Sequence, residues 1–342
     1  MTCGDHSITF TASGGMPQVG GEDDTPAGDD NEQGGDDTPA PATEATTGPA
    51  MVGTANADVL LGTANGETII ALGGNDTAIG GGGADIMRGE DGDDFMSAEG
   101  GNDIVFGGMG NDDLLGGAGN DMLYGDAGSD RIFGDAGNDL IHTGAGNDTA
   151  YGGEGDDLFV AEAGDGDDTY YGDAGSDTLD MAAITANLTV DLGNGFMGRG
   201  SASSSQSGSD MVWNVENVVT GSGADTITAS RAANVIDGGA GSDTFRFLSE
   251  ADADGDTIAS FQPGDKIDFS GIDANGGASG NQSFTLVAAS TLSSAAQLIV
   301  THETREDGDY TVVQANVDDD NAAELRLSIK GTHNLTSTDF NL

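Results

Sequence analysis

Basic residues are nearly missing from this chain. Nine Lys and Arg stand against sixty Asp and Glu in 342 residues, a formal charge of −51. That balance excludes nucleic acid as a partner, because its phosphates would be repelled. It also makes any compact, ion-free state self-repelling. A single cysteine, Cys3, excludes an intramolecular disulfide. Four histidines leave little with which to hold zinc or iron. No apolar run reaches the roughly 20 residues that span a bilayer. Met1 to Phe10 lacks the basic and apolar regions of a Sec-type signal peptide, and Cys3 lacks the apolar stretch of a lipoprotein site. There is no G-x-S-x-G elbow, no P-loop and no dinucleotide-binding glycine motif. His302-Glu303-Thr304-Arg305-Glu306 lacks the second histidine of a zinc-peptidase H-E-x-x-H, and His302 reads as a strand-end surface residue.

What the chain has in abundance is glycine, 59 residues of it, and acid. Glycine is costly to order, so this many must serve tight turns. Residues 1–52 contain no Lys or Arg and read as a disordered acidic arm, with a brief strand possible at Ser7 to Thr11. From Gly53 the sequence repeats every nine residues. Twelve units run to Val160 without insertion, an eleven-residue unit spans Ala161 to Tyr171, and a regular one follows, Gly172 to Asp180. The clearest is Gly116-Gly117-Ala118-Gly119-Asn120-Asp121-Met122-Leu123-Tyr124. The sixth position is acidic throughout: Asp58, Glu67, Asp76, Asp85, Asp94, Asp103, Asp112, Asp121, Asp130, Asp139, Asp148, Asp157, Asp168 and Asp177. The eighth is mostly large and apolar, as in Val105, Leu114, Leu123 and Ile132, and weaker at Ala78 and Ala150.

Within one unit, the glycine-rich first six residues must turn and the last three form a short strand that buries position eight. Stacked units give two parallel sheets, with turns on one edge ~4.8 Å apart. Like-charged carboxylates are thereby brought into rows, which is unfavourable without counter-ions. Ordering the backbone costs more than one buried side chain per unit returns, so an ion-free repeat is marginal or unfolded. A hard cation that takes six to eight oxygens at ~2.3–2.6 Å suits such rows. Calcium is favoured over magnesium, which demands a tighter octahedron.

The repeats resemble the RTX, or hemolysin-type, calcium-binding nonapeptide family, closely over Gly53 to Asp180 and again over Thr220 to Arg246. The resemblance implies calcium ions between turns, held by sixth-position aspartates and by main-chain carbonyls of the glycine turn. Carried over, it selects Asp76, Asp85, Asp94, Asp103, Asp112, Asp121, Asp130, Asp139, Asp148, Asp157, Asp168, Asp177, Asp225 and Asp243. The carbonyls are those of Gly74, Gly83, Gly92, Gly101, Gly110, Gly119, Gly128, Gly137, Gly146, Gly155, Gly175 and Gly241. Asn56 and Asn65 replace the fourth-position glycine and Glu67 replaces aspartate, so the first two units are expected to bind weakly or to cap the stack.

Residues 181–219 break the period. Leu188 to Leu192 and Met211 to Val219 alternate like strands, with a Ser/Gly loop from Gly198 to Ser209 between them. Beyond Thr244 short β-type runs dominate, and Ser293 to Leu298 is the one expected helical stretch. Asp252-Ala253-Asp254-Gly255-Asp256 reads as a surface turn, with a single weak calcium site as the other reading. Val215-Glu216-Asn217-Val218, Gly264 to Ile272 and the ending Asp339-Phe340-Asn341-Leu342 resemble the C-terminal domain of serralysin-type metallopeptidases. That resemblance implies export by a type I secretion apparatus, guided by an uncleaved C-terminus. The expectation is therefore an all-β chain: an arm over 1–52, a calcium β-roll over 53–180, and a β-rich C-terminal domain over 181–342 with a second short roll at 220–246. Its expected role is that of a secreted, calcium-binding structural or surface-interaction protein without catalysis. Two alternatives stand beside it: a serralysin relative without a catalytic domain, acting with another polypeptide, and a calcium-dependent module for an extracellular polysaccharide or cell surface.

Overall fold

A computed structural model describes residues 50–193, 199–276, 281–318 and 322–342. The expected arm lies outside these residues up to position 49, as does the strand at Ser7 to Thr11. The described residues belong to one compact unit.

Each nine-residue unit contributes one short strand, and successive strands alternate between two sheets. The chain thus makes one coil of a flattened solenoid every eighteen residues. Arg131↔Thr149, Ile132↔Ala150 and Phe133↔Tyr151 pair in parallel in one sheet; Leu140↔Leu158 and Ile141↔Phe159 do so in the other. Position eight points between the sheets, and Ile69, Val105, Leu123, Ile141 and Leu179 are fully buried there. A continuous apolar core runs from the first coils into the C-terminal region.

The solenoid starts earlier than the sequence frame suggests. Met51–Val52 already pairs with Ile69 and Ile70, because a parallel edge strand is added wherever register allows. Nor does the roll end at Asp180. Thr178–Asp180 pairs with Asn217–Val219, and the units from Thr220 onward continue the same two stacks, so the first and second rolls are one.

The break at 181–219 is an inserted hairpin within this stack. Arg199–Ser204, expected as loop, is a strand antiparallel to Gly208–Trp213. Ser201 and Ser203 alternate with the buried Gly200 and Ala202, a two-residue alternation that small side chains disguise. The expected single strand Met211 to Val219 is divided at Asn214, whose φ of 49° turns the chain to the opposite sheet. Ser293 to Leu298 is not helical. Gln297–Arg305 instead forms a long hairpin with Gly308–Asn316, burying Leu298, Val312 and Ala315.

Position nine stacks on the outer faces. Phe106, Tyr124 and His142 lie ring on ring at 4.8 Å, and Phe133, Tyr151 and Tyr171 at 4.9 and 4.6 Å. The interval is the strand spacing itself. An arginine ends each stack, Arg88 over Phe106 and Arg199 over Trp213.

Candidate metal centre

The turns form two files, one along each edge of the solenoid. Asp58, Asp76, Asp94, Asp112, Asp130, Asp148, Asp168 and Asp210 follow one another on the first edge. Glu67, Asp85, Asp103, Asp121, Asp139, Asp157 and Asp177 follow on the second. In both, Oδ1 of each carboxylate after the first accepts the main-chain N–H of the acidic residue one coil earlier. Asp94 accepts from Asp76 at 2.7 Å, Asp121 from Asp103 at 2.8 Å and Asp157 from Asp139 at 2.9 Å.

Position five supplies a second ladder running the opposite way. The Asn111 N–H donates to Asp93 Oδ1 at 2.9 Å, Ser129 N–H to Asn111 Oδ1 at 2.8 Å, and Asn138 N–H to Asn120 Oδ1 at 3.0 Å. This explains the run of Asn, Asp and Ser at that position, a pattern visible in the sequence but not read from it. Two donors of every regular turn are thus met within the protein.

The second oxygen of each carboxylate is different. Oδ2 of Asp76, Asp85, Asp94, Asp103, Asp112, Asp121, Asp130, Asp139, Asp148, Asp157 and Asp177 is enclosed, with no hydrogen-bond partner among the described residues. Buried polar atoms are rarely left so, and here the orphans repeat at every coil.

Main-chain oxygens complete the cradle. The carbonyls of Gly74, Gly83, Gly92, Gly101, Gly110, Gly119, Gly128, Gly137, Gly146 and Gly155 point along the stack at the next glycine of the file. No main-chain donor among the described residues is directed at them. The first-position glycine leaves space as well. A Cβ on Gly89 would lie 2.3 Å from Asp94 Oδ2 and 2.4 Å from the Gly107 carbonyl oxygen. First-position carbonyls therefore converge with the orphaned oxygens, a donor set that the sequence did not single out.

Electrostatics follow from this enclosure. Burial, joined by neighbouring negative charge and opposed by the N–H donors, raises Asp103, Asp121, Asp148, Asp157 and Asp177 to about 7. Asp130 rises to about 8, and Asp85, Asp112 and Asp139 to about 6. A cation against Oδ2 would supply the missing partner and the missing charge. Among the described residues no three Asp, Glu, His or Cys side chains converge on one point. The files offer a few carboxylates and many carbonyls, an all-oxygen set that suits calcium rather than zinc.

The first two units lack this opening. Thr54 N–H and Oγ1 donate to Asp58 Oδ2 at 2.6 and 2.8 Å, and Thr63 N–H and Oγ1 donate to the Glu67 carboxylate at 3.1 and 2.5 Å. They close the stack rather than extend the row.

In the C-terminal region the files resume. Asp225 Oδ1 accepts from Leu188 at 2.8 Å and Asp243 Oδ1 from Asp225 at 2.9 Å. Four further members were not selected from the sequence: Asp210, Glu216, Asp256 and Asp265. Asp256, read as part of a surface turn, is fully buried and accepts the Asn234 N–H at 2.7 Å, with Oδ2 enclosed and unpaired. Its signal was a nine-residue spacing stretched by insertion, which the strict frame could not follow. Asn234, standing where an acid is usual, donates from Nδ2 to the Glu216 carbonyl at 2.7 Å and accepts the Ser230 N–H at Oδ1 at 2.7 Å, so both ends of its amide are met within the protein.

Two family models match. The model of the RTX calcium-binding nonapeptide repeat matches in four copies, residues 52–87, 61–96, 88–123 and 124–159. The model of the peptidase M10 serralysin C-terminal domain matches residues 168–342, just over half of the chain. The chain belongs to the serralysin C-terminal family. The RTX copies make this family member a calcium-binding repeat protein of secreted type, with several ions implied. Among solved structures, a subunit of the Azotobacter vinelandii mannuronan C5-epimerase aligns at 18% identity over 68% of this chain and 77% of its own, with a TM-score of 0.16. No curated protein sequence matches. No described helix is long and apolar enough to cross a membrane.

Proposed function

We propose that this serralysin C-terminal family member is exported through a type I secretion apparatus and takes its solenoid fold outside the cell, when calcium ions enter the two carboxylate files. The carrying observation is the enclosed, donor-less Oδ2 that recurs coil after coil on both edges. The ligands are Oδ2 of Asp76 to Asp157 along the files, together with those of Asp177, Asp210, Asp225 and Asp256, and the carbonyls of the glycine turns. Asp243 shares the file geometry, whereas Asp58, Glu67, Asp168, Asn234 and Asp265 stand outside the set. Gln262 N–H already occupies Asp265 Oδ2 at 2.6 Å.

Mass action gives the compartment dependence. A site with Kd near ~0.1 mM in ~1 mM calcium adds about 1.4 kcal/mol, and the gain vanishes at cytosolic calcium. With many sites in register, the chain stays unfolded during export and closes up afterwards. The reading gives the chain a structural role and assigns it no reaction. Circular dichroism of the full chain tests it: disorder in chelator and β structure in millimolar calcium support the reading, and an unchanged spectrum contradicts it.

A further inference from the structure

Asp168 differs from its neighbours in the file. Its Oδ1 accepts the Asp148 N–H at 2.8 Å, as the ladder requires. Its Oδ2, however, accepts from Tyr170 Oη at 3.0 Å and from Thr143 Oγ1 at 3.1 Å, and the two hydroxyls lie 3.3 Å apart. Thr143, Asp168 and Tyr170 are all fully buried. The carboxylate therefore holds three hydrogen bonds, two of them on the oxygen that every regular neighbour leaves open. Hydrogen bonds to an ionised acceptor are the strong kind.

Three departures from the repeat build this arrangement together. Tyr170 occupies position eight, where the other units carry side chains without a hydroxyl. Its partner in the sheet is Ala150, small enough to leave room for the ring. Thr143 occupies position one, where the other units carry Gly or Ala except the one that begins at Thr220. The ring is further fixed edge-on against Phe159 at 5.5 Å. Protein donors close the outer oxygen of Asp58 and Glu67 in the same way, but those stand at the start of the stack. Asp168 stands inside it, just after the last RTX copy ends at residue 159 and where the serralysin C-terminal match begins.

We propose that the Asp168 rung takes no calcium ion: the Tyr170 and Thr143 hydroxyls replace it, dividing the first-edge row into a block ending at Asp148 and a block beginning at Asp210. The inference rests on the calcium reading of the files. The closed rung joins the two blocks without an ion, so each loads by itself.

Ion counting by equilibrium dialysis on the full chain in saturating calcium tests the division. Tyr170→Phe, which removes one of the two donors without changing the ring, is expected to bind about one more ion per chain than the parent. An unchanged count overturns the inference. Should Tyr170→Phe fail to fold, Asp168→Asn and Asp130→Asn are compared. Asp130→Asn is expected to lower the count and Asp168→Asn to leave it at the parent value. An equal fall in both overturns the closed rung while leaving the calcium files standing. A parent that binds no ions overturns the calcium reading itself.

Discussion

Asp121 Oδ1 accepts the Asp103 N–H at 2.8 Å, while Asp121 Oδ2, a single carboxylate carbon away, is enclosed and accepts nothing among the described residues. The first oxygen sets the register of the coil. The second presents a buried negative atom that only a positive partner satisfies. Structure and ion demand thus reside in one side chain.

Asparagine at this position separates the two duties. Asp121→Asn retains an Oδ1 acceptor and loses the charge, so the calcium midpoint for folding should rise, by a few-fold for a ligand worth about 1–3 kcal/mol at its own site. Glu67→Gln should shift it little, because Thr63 already occupies that carboxylate. Calcium titrations followed by circular dichroism check the order; a larger shift for Glu67→Gln contradicts the site assignment.

Acid should substitute for calcium. Burial raises Asp85 to about 6, Asp121 to about 7 and Asp130 to about 8 in the fold, against the usual 3.8. A folded value above the unfolded one means that protonation stabilises the ion-free solenoid. That contribution is complete below about pH 4 and is lost as pH rises through 6 to 8. In calcium-free buffer, lowering the pH from 8 to 5 should therefore raise the β signal. Disorder persisting to pH 5 would contradict the burial of these carboxylates.

Glycine at position four is demanded twice over. Gly128 has a φ of +148°, and a Cβ there would stand 1.4 Å from the Gly110 carbonyl oxygen. Gly128→Ala should destabilise the calcium-loaded protein by roughly 2–4 kcal/mol. Gly164, with a φ of +92° but nothing within 4 Å, isolates the backbone term, and Gly164→Ala should cost only about 1–2 kcal/mol. Urea unfolding at saturating calcium measures the pair, and equal losses would contradict the axial packing of the carbonyls.

The chain's last residues are built into the fold. Phe340 pairs with Ile267, and Asp339 Oδ2 accepts the Thr336 N–H at 2.7 Å. Deleting Asp339 to Leu342 should reduce export from the secreting cell several-fold, read as the ratio of extracellular to cell-retained protein. The same deletion should leave the calcium-induced β signal of Asp76 to Asp177 largely intact, because that core lies in other coils. Full secretion of the truncated chain would place the export signal elsewhere.

Much of this architecture was legible in the sequence because a strict period leaves few alternatives. Asp at position six and an apolar residue at position eight recur in phase from Asp76 and Ala78 to Asp177 and Leu179, and both took their expected places. Legibility failed where the period stretched. Asp256 joins the file across an insertion, and the Arg199–Ser204 strand hides its alternation in Ser, Gly and Ala, whose similar size gives no hydrophobic contrast. The closure of Asp168 escaped for another reason. A tyrosine at a core position reads as apolar filling until its hydroxyl has an address, and that address is the Asp168 carboxylate, shared with a threonine 27 residues from the tyrosine.

Diffraction at a wavelength with calcium anomalous signal, from crystals of the full chain grown in calcium, bears most directly on the files. Peaks within ~2.3–2.6 Å of Oδ2 of Asp94, Asp112, Asp121 and Asp139 are the expected result, with none against Asp168. Well-ordered files without peaks, or peaks confined to the exposed acids outside them, would contradict it.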